Sequence, residues 1–559
     1  MAKPPPKELP PRYYLEYFEY LLSFMEEHYG DLLSSAERNF IDRYRQLPVD
    51  AQCLTVRLAN RRGEFFLLDT FRYEEITDMI LARQSVAEAG FILSPDAEHE
   101  AFFPQLLEVF NKAFLVRMAR DLEVKVKASW RKPQIVEALL EQADFADAVA
   151  YMHTFHDLVM CTFGPVVHMF KFLFFGNTYE DLTQFVVRDI GYVKYENTGQ
   201  DFTPLFRTRK EAEDKLHVLD AYEYYKVLIQ TEDPDTVLEW YEGWTRENLG
   251  TLSEVALPAF DKLTLRLGQW LERAEYLTEA LSVYERTQAS PAPERRIRLL
   301  HKLGDTEQAV VLAEHLVVYG ISAEERLFAG DFIRKQQNPK QRRRRTTEKL
   351  KAAEEISISA SFTNMVELGV AQYFAEQGFA AVITENSLWR SLFGLLFWEE
   401  IFAGEEGVFH HPLQRMPSDL FGADFLPTRR EAMAKKMTLL YDFEAFEAHV
   451  MSTFEAKKGI ANPFTGWHPQ TPELVLQARR VMTAEQLEPV LWEIARDPKE
   501  NGRGFPDLFL WKELDYAFVE VKSPNDHLGP QQWYWLEFFE QHGIQARIIR
   551  VRWDDPTAD

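Results

Sequence analysis

Most of the chain carries the hydrophobic pattern of amphipathic helices. In residues 13–110 and again in residues 210–330, apolar positions recur at helical spacing among charged ones. The second segment has small residues where paired helices would approach closely, as in residues 274–284 and 304–313, although no clean period of about 34 residues runs through it. The pattern predicts an N-terminal helical domain and, further along, a stack of helical hairpins.

The pattern changes near the C-terminus, where short apolar runs predict β-strands. Residues 508–511 and 516–522 are rich in aromatic and β-branched side chains, and the polar residues 512–515 separate them. Strands of this length on either side of a short polar turn are typical of a β-hairpin. We therefore predict an α/β domain at the end of a mostly helical, multidomain chain.

The alternation of side chains along a strand places charged residues at one end of this hairpin. Glu520 and Lys522 lie on one face of the second strand, whereas Val519 and Val521 lie on the other. Asp507 directly precedes the first strand. We expect its carboxylate to reach the end of the hairpin at which Glu520 lies.

Two carboxylates and a lysine in one place suggest a metal-assisted reaction at a phosphate. Carboxylate oxygens hold Mg²⁺ or Mn²⁺, which keep several waters and bind substrate phosphates. Such an ion activates water and offsets phosphate charge, and Lys522 would orient that water. Pro506-Asp507, twelve further residues and Glu520-Val521-Lys522 resemble the signature of the PD-(D/E)xK nucleases. An exposed hairpin with a solvated Glu-x-Lys pair is the alternative interpretation.

The surrounding sequence favours the nuclease interpretation. A predicted helix at 366–378 and a second at 388–402 precede the hairpin, and a segment containing Gln-Trp-Tyr-Trp-Leu at 532–536 follows it. With residues 407–430 and the motifs GRGFPDLFLW and VEVKSPNDHL, these segments resemble the VRR-NUC domain. More narrowly, they resemble its version in the Fanconi-associated nuclease family, which consists of structure-selective DNA nucleases.

The resemblance implies a role for each residue that matches the family motif. It makes Glu385, Asp507 and Glu520 the acidic ligands of Mg²⁺ or Mn²⁺, with the backbone carbonyl of Val521 as a further ligand. Lys522 becomes the catalytic lysine.

The same resemblance places two glutamines near the site, and the position of an arginine beside Asp507 adds a third polar candidate. Gln532 matches a glutamine on the helix that closes the catalytic site, and Gln414 matches one near it. Arg503, a few residues before the Pro-Asp motif, would hold the scissile phosphate or its neighbour. Gln532 and Gln414 could equally be ordinary polar positions.

The overall charge limits how the chain can bind DNA. It has 63 basic and 88 acidic residues, a formal charge of -25, so nucleic-acid contacts must come from local basic patches. One such patch resembles a small SAP-type helix-extended-helix module, in which a basic segment leads into a helix opened by Lys-Pro. Its candidate phosphate contacts are Arg117, Arg120, Lys125, Lys127, Arg131 and Lys132.

A second basic cluster lies between the helical stack and the C-terminal domain. It contains the run Arg342, Arg343, Arg344 and Arg345 and several neighbouring lysines. It could contact phosphates, serve as a nuclear address or form a solvated helix face. Its position before the predicted nuclease domain favours a DNA-binding role.

The cysteine content and the apolar runs of the chain limit the expected cellular compartment and partners. Two cysteines, Cys53 and Cys161, exclude a disulfide framework and indicate a reducing compartment, which predicts a cytoplasmic protein, associated with the nucleoid if bacterial. The apolar residues 158–175 are interrupted by Gly-Pro, His and Lys, so we predict a pair of buried helices and no membrane contact. The chain shows no ubiquitin-binding zinc finger like that of eukaryotic family members, and its protein partners stay open.

We therefore predict four domains: a helical domain at 1–110, a SAP-like DNA-binding region at 111–200, tetratricopeptide-like helical repeats at 201–355 and a VRR-NUC nuclease at 356–559. The resemblance implies a structure-selective DNA nuclease that cuts near single-strand/double-strand junctions such as 5′ flaps, with possible 5′–3′ exonuclease action, in interstrand crosslink repair. The alternatives are an enzyme that resembles a Holliday-junction resolvase, and a non-catalytic adaptor that binds DNA through its helical repeats.

Overall fold

The computed structural model describes residues 9–127, 129–196, 202–320, 322–338, 345–402, 407–422 and 424–554. The chain divides into two compact units, Met1–Tyr192 with Pro204–Arg209, and Val193–Thr203 with Lys210–Asp559. We refer to them as unit 1 and unit 2. The finer division into four domains stays a prediction.

Unit 1 combines helices with a small sheet. Its elements are α1 Tyr13–Tyr29, α2 Ser35–Gln46, α3 Val49–Ala59, β1 Phe65–Leu67, α4 Met79–Glu88, β2 Ile92–Leu93, α5 Phe103–Glu108, α6 Lys112–Asp121, α7 Lys132–Gln142, α8 Phe145–Phe155, β3 Leu158–Cys161, α9 Gly164–Phe175 and α10 Thr183–Asp189.

The sheet of unit 1 is a feature that the helical pattern did not predict. β3 is its central strand and pairs antiparallel with β1 and β2. The prediction of two buried helices at 158–175 is therefore wrong in its first half, which is the strand β3, whereas the second half is the buried helix α9. Pro165 opens α9, because a first-turn proline loses no helical hydrogen bond.

Unit 2 begins with the predicted stack of helices. These are α11 Arg209–Thr231, α12 Pro234–Asn248, α13 Leu257–Arg273, α14 Leu277–Tyr284, α15 Ala292–Leu303, α16 Thr306–Tyr319, α17 Ala323–Gln337 and α18 Arg345–Ala352. From α13 to α17 each helix packs on the next one along the chain, as in a helical-repeat stack.

The remainder of unit 2 is an α/β domain. Its elements are β4 Glu354–Ser359, α19 Val366–Glu376, β5 Ala380–Ile383, α20 Ser387–Leu396, α21 Trp398–Phe402, α22 Phe425–Met437, α23 Phe443–Lys457, α24 Thr471–Val481, α25 Ala484–Arg496, β6 Leu508–Lys512, β7 Asp515–Lys522, α26 Pro530–Gln541 and β8 Ala546–Asp554. The strands form one sheet in the order β4-β8-β7-β6-β5.

Most of the sequence predictions for this domain are confirmed. The hairpin is β6 and β7, paired antiparallel, and the predicted helix at 366–378 is α19. Phe518 packs into the core formed with α20 and α26, whereas Val519 and Val521 pack on the opposite face beside α19. The single helix predicted at 388–402 is instead two helices, α20 and α21, because Phe397 leaves the helical conformation between them.

Unit 2 therefore has a two-faced sheet in which α19 covers one face and α20 and α26 cover the other. The mostly helical, multidomain fold with a C-terminal α/β domain is confirmed. In the part of the chain that the structure describes, no helix is both long and apolar enough to cross a membrane.

The helical stack depends on close contact at Gly268. A methyl group on this α13 residue would lie 2.5 Å from the ring of Tyr284 in α14, and that ring is fully buried. We predict that Gly268→Ala destabilises the protein by about 1–3 kcal/mol through overpacking. Gly243→Ala, in α12 with open space around it, should instead stabilise the helix by about 0.5–1 kcal/mol. Melting curves followed by circular dichroism measure both changes, and an unchanged Gly268→Ala curve would contradict the packing argument.

Candidate active site

Strand register brings three distant acids to one end of the sheet. β5 pairs antiparallel with β6 so that Ile383 lies opposite Leu508, and β6 pairs with β7 so that Leu508 lies opposite Val519. Glu385 follows the end of β5, Asp507 precedes β6, and Glu520 is one residue beyond Val519. Antiparallel pairing therefore places all three acids at the same end of the sheet. We call this end, with Glu385, Asp507 and Glu520, the acidic edge.

Backbone hydrogen bonds fasten the Glu385 loop to the Asp507 loop. The N–H groups of Thr384 and Glu385 both donate to the carbonyl oxygen of Asp507, at 2.8 and 3.0 Å. The side chain of Asn386 accepts from the N–H of Phe505 at 3.2 Å. Glu385 has a positive φ of 39°, a conformation that non-glycine residues rarely adopt, and these bonds hold it there.

Glu520 is a fully buried carboxylate that pairs with Lys522. Its side chain is 0% exposed, Oε1 lies 2.9 Å from Lys522 Nζ, and Oε2 accepts no hydrogen bond from any residue that the structure describes. Burial, and next the negative charge of Asp507, raise the pKa of Glu520 to about 8. A native protein rarely buries such a group unless a charge partner satisfies it.

Asp507 is the second acid of the site, and it is half-buried. Its Oδ2 accepts a hydrogen bond from the backbone N–H of Val521 at 2.8 Å, which fixes the carboxylate against β7. The pKa of Asp507 is raised to about 6, mainly by burial and also by the carboxylates of Glu367 and Glu385, against the opposing effect of the Val521 N–H and of Lys522.

Lys522 is positioned between an acid and an amide. Its Nζ lies 2.9 Å from Glu520 Oε1, and it donates a hydrogen bond to Gln532 Oε1 at 3.0 Å. The same oxygen of Gln532 accepts the N–H of Gly529 at 2.9 Å, so the first turn of α26 orients the lysine. Lys522 is buried, at 7% exposed, and its ammonium is directed toward the acidic edge.

These residues fit a divalent cation. In the described parts of the chain no three His, Cys, Asp or Glu side chains already form a complete metal-binding group. Mg²⁺ and Mn²⁺ do not need one, because they retain waters and accept substrate oxygens. The carboxylate oxygens of Glu520, of which Oε2 has no partner among the described residues, are hard ligands for a cation beside Asp507, with Glu385 exposed at the rim.

Gly504 shapes the loop that carries Asp507. Its φ is +82°, and a methyl group there would lie 2.5 Å from Cγ of Gln531 in α26. The carbonyl of Arg503 accepts a hydrogen bond from the Trp535 indole at 2.9 Å. A glycine is therefore required where the loop approaches α26.

Two polar residues predicted near the site have other contacts. The Gln414 amide fastens its own loop: it donates to the carbonyls of Val408 and Met416 and accepts the N–H of His410. The exposed side chain of Arg503 forms an ion pair with Glu500. Their predicted contacts with DNA stay predictions.

The SAP-like segment of unit 1 contains the helices α6 and α7, and the described residues between them form neither helix nor strand, while the SAP-like module itself stays a prediction. Lys125, Lys127 and Arg131 are exposed, and their side chains form no ion pair with described residues. Arg120 pairs with Asp121 at 2.9 Å, and Lys132 pairs with Glu108 at 2.7 Å.

The remaining basic candidates are Arg117 and the arginine run at 342–345. Arg117 is exposed, with its guanidinium 4.2 Å from the centre of the Phe155 ring. Arg345 begins α18, and Arg342, Arg343 and Arg344 lie outside the described residues.

Three residues near the acidic edge escaped the sequence prediction. Glu367, in the first turn of α19, is close enough to raise the pKa of Asp507. Asn386 joins the two acidic loops, and Arg390 lies one turn into α20. A carboxylate at the start of the helix before the hairpin was visible in the sequence, but only the packing of α19 on the sheet shows that it faces the site.

Two protein-family profiles match separate parts of the chain. The sequence profile of the VRR-NUC domain matches residues 444–553, which contain Asp507, Glu520, Lys522 and Gln532 but not Glu385. The profile of the FAN1 HTH domain matches residues 12–93.

Full-length relatives are similar along nearly the whole chain. The Fanconi-associated nuclease 1 homolog of Pseudomonas aeruginosa is 28% identical, over 97% of this chain and 96% of that protein. The Arabidopsis thaliana homolog is 25% identical, over 98% of this chain and 67% of its own length. Human Fanconi-associated nuclease 1 is 23% identical, over 96% of this chain and 62% of its own.

Two solved protein–DNA complexes are similar in structure to almost the whole chain. The crystal structure of paFAN1 bound to 2-nt 5′-flap DNA with a gap superimposes with a TM-score of 0.83 at 26% identity, covering 98% of this chain and 100% of that one. The complex of paFAN1 with 1-nt 5′-flap DNA gives a TM-score of 0.80 at 27% identity, with the same coverage.

The buried Glu520 predicts a pH-dependent stability. Its folded pKa of about 8 lies above the unfolded value, so metal-free protein loses stability as the pH rises from about 5 to about 8. Glu520→Gln removes that loss. In EDTA we expect this variant to be more stable than the wild type by about 1 kcal/mol or more at pH 8, and by much less at pH 5.

Calorimetric melting with and without Mn²⁺ measures this effect. Saturating Mn²⁺ should raise the melting temperature of the wild type more than that of Glu520→Gln. Glu513→Gln, an exposed change in the same hairpin, should behave like the wild type throughout. Equal melting of Glu520→Gln and the wild type at both pH values would contradict the assignment.

Proposed function

This chain belongs to the Fanconi-associated nuclease family, and on that premise we propose that Asp507, Glu520 and Lys522 form the centre at which it cleaves DNA. The chain is a structure-selective DNA nuclease of interstrand crosslink repair, with a C-terminal VRR-NUC nuclease domain. The observation that supports the proposed centre best is Glu520, which is fully buried beside Asp507, pairs with Lys522 through Oε1 and has no partner for Oε2 among the described residues.

The reaction proposed for this centre is hydrolysis of a phosphodiester. VRR-NUC nucleases depend on a divalent metal, and we propose Mg²⁺ or Mn²⁺, which supplies an activated water and charge stabilisation when bound. Asp507 and Glu520 would hold it, with Glu385 and the carbonyl of Val521 completing the protein ligands. The Val521 N–H keeps Asp507 in place for this role.

Lys522 supplies a positive charge to the proposed reaction. Gln532 and Glu520 hold its ammonium at the acidic edge, so it needs little reorganisation when a phosphate arrives. There it offsets negative charge that develops on the phosphate and orients the attacking water. The core around Trp389, Phe518 and Trp535 lies beside these groups, and its low polarity strengthens each interaction.

We propose 5′ flaps as the preferred substrate. The paFAN1 structures with flap DNA support this choice, since that protein is similar over the whole chain. A branched substrate bends at its junction at low energetic cost, whereas a linear duplex resists bending. The exposed basic residues of α6–α7 would contact the DNA backbone without reading its sequence. Such a protein would work in the cytoplasm, and on the nucleoid if its source is bacterial.

A cleavage assay with matched variants tests this function. Wild-type protein with Mn²⁺ or Mg²⁺ should cut a 5′ flap faster than a 3′ flap, a four-way junction or a linear duplex. Asp507→Asn, Glu520→Gln and Lys522→Met should each lower the rate by about 100-fold or more, because each removes charge stabilisation at the phosphate. Asp515→Asn, an exposed change at the start of β7, should leave the rate unchanged.

Other outcomes of the assay distinguish other functions. A four-way junction cut faster than every flap would indicate a junction resolvase. Wild-type protein that binds but never cuts would indicate a DNA-binding adaptor. Activity that persists in Asp507→Asn would show that the proposed centre is wrong.

The free lysines of the SAP-like segment predict a salt-dependent contact. Lys125→Gln/Lys127→Gln should weaken binding to flap DNA and lower the slope of log affinity against log salt by roughly one for each lysine that contacts a phosphate. Lys132→Gln should change the slope less, because Glu108 already pairs with Lys132. Fluorescence anisotropy across a salt series measures the slope, and an unchanged slope in the double variant would exclude this segment from the DNA interface.

A further inference from the structure

A cleft opens beside Glu385, between the start of α20 and the turn before α24. Its volume is about 480 Å³, and one wall is the segment 383–387 with Arg390 while the other is the segment 463–466. Clefts of about 300–1,000 Å³ hold small organic ligands. The cleft shares Glu385 with the acidic edge, so a molecule in it would adjoin the proposed cutting centre.

Arg390 is the basic residue of this cleft, which Glu385 also lines. Its side chain is half-buried, and its guanidinium donates a hydrogen bond to the carbonyl of Pro463. Among the residues that the structure describes, no carboxylate pairs with it, and burial alone lowers the pKa of Arg390. A partly desolvated guanidinium without a counter-ion favours an anion, and its planar donors match a phosphate.

The walls of the cleft are held by local contacts. Asn462 Oδ1 accepts the N–H groups of Phe464 and Thr465, at 2.7 and 3.2 Å, which closes a tight turn. That turn packs on α20 at Gly394, where a methyl group would collide with Thr465. On the other wall, the Ser387 hydroxyl donates to the carbonyl of Thr384 at 2.6 Å. The cleft is thus part of the folded domain.

The lining of the cleft combines apolar residues with the cationic side chain of Arg390. Ile383, which is 48% exposed, and Pro463 present apolar area, whereas Asn386 and Arg390 present polar groups. A nucleotide has the same division, with an apolar base and sugar attached to an anionic phosphate. Because the cleft lies beside Glu385, a nucleotide of the DNA substrate is the occupant that fits it best.

We propose that this cleft holds a nucleotide next to the scissile phosphodiester, with Arg390 contacting a phosphate adjacent to the one that is cut. This inference rests on the proposed nuclease function and assigns a substrate-binding residue to it. Arg390 orients the cut strand and takes no part in the chemical step.

Neutral phosphates test the contact directly. A set of 5′-flap substrates carries one methylphosphonate each, at successive positions on both sides of the cut. In the wild type, one position next to the scissile bond should lower kcat/KM by about tenfold or more, as expected for a charged hydrogen bond. Arg390→Gln should lower kcat/KM on unmodified DNA by a similar factor and show no further loss at that position.

Matched variants separate contact from folding. Arg390→Lys should recover part of the activity, because it restores the charge but not the fork of donors. Arg430→Gln, an exposed arginine of α22, should behave like the wild type at every position. The comparison is made within each variant, so a loss of stability in Arg390→Gln lowers all its rates alike and leaves the pattern of methylphosphonate effects interpretable.

Two results would overturn the inference. If Arg390→Gln cuts unmodified DNA as fast as the wild type, or is as sensitive as the wild type to every methylphosphonate, Arg390 contacts no substrate phosphate. In either case a wild type that cuts flaps and an inactive Asp507→Asn would leave the nuclease function standing. A wild type that cuts no DNA would instead remove the proposed function and this inference with it.

Discussion

The carbonyl oxygen of Asp507 is the point on which the site depends. It accepts the N–H groups of both Thr384 and Glu385, and so joins two loops that are more than a hundred residues apart in sequence. Antiparallel pairing of β5, β6 and β7 brings those loops to the same edge, and the Val521 N–H then fixes the Asp507 carboxylate. Backbone geometry thus determines where the acids meet.

This arrangement has an energetic cost that only a cation offsets well. Glu520 is fully buried, its Oε2 accepts no hydrogen bond from described residues, and Asp507 and Glu385 add negative charge around it. Lys522 compensates only part of that charge, because its single positive charge faces three carboxylates. In the metal-free protein the site is therefore under electrostatic tension, which is what a centre that recruits a divalent ion requires.

The sequence predicted the parts of this site that depend on local pattern. Alternation along residues 516–522 placed Glu520 and Lys522 together, and the Pro-Asp motif placed Asp507 at the end of the hairpin. It could not predict how Glu385 approaches, because that depends on the long-range pairing of β5 with β6. For the same reason β1, β2 and β3 were missed: each is only two to four residues long and pairs across a large separation in sequence.

The central claim is that Asp507 and Glu520 share a divalent cation, and crystals soaked in Mn²⁺ test it most directly. Anomalous diffraction should show a single strong peak within about 2.0–2.3 Å of oxygens from both carboxylates, as hard oxygen ligands require. The peak should be lost from crystals of Glu520→Gln. A fully occupied Mn²⁺ elsewhere in the protein, with neither Asp507 nor Glu520 as a ligand, would contradict the account.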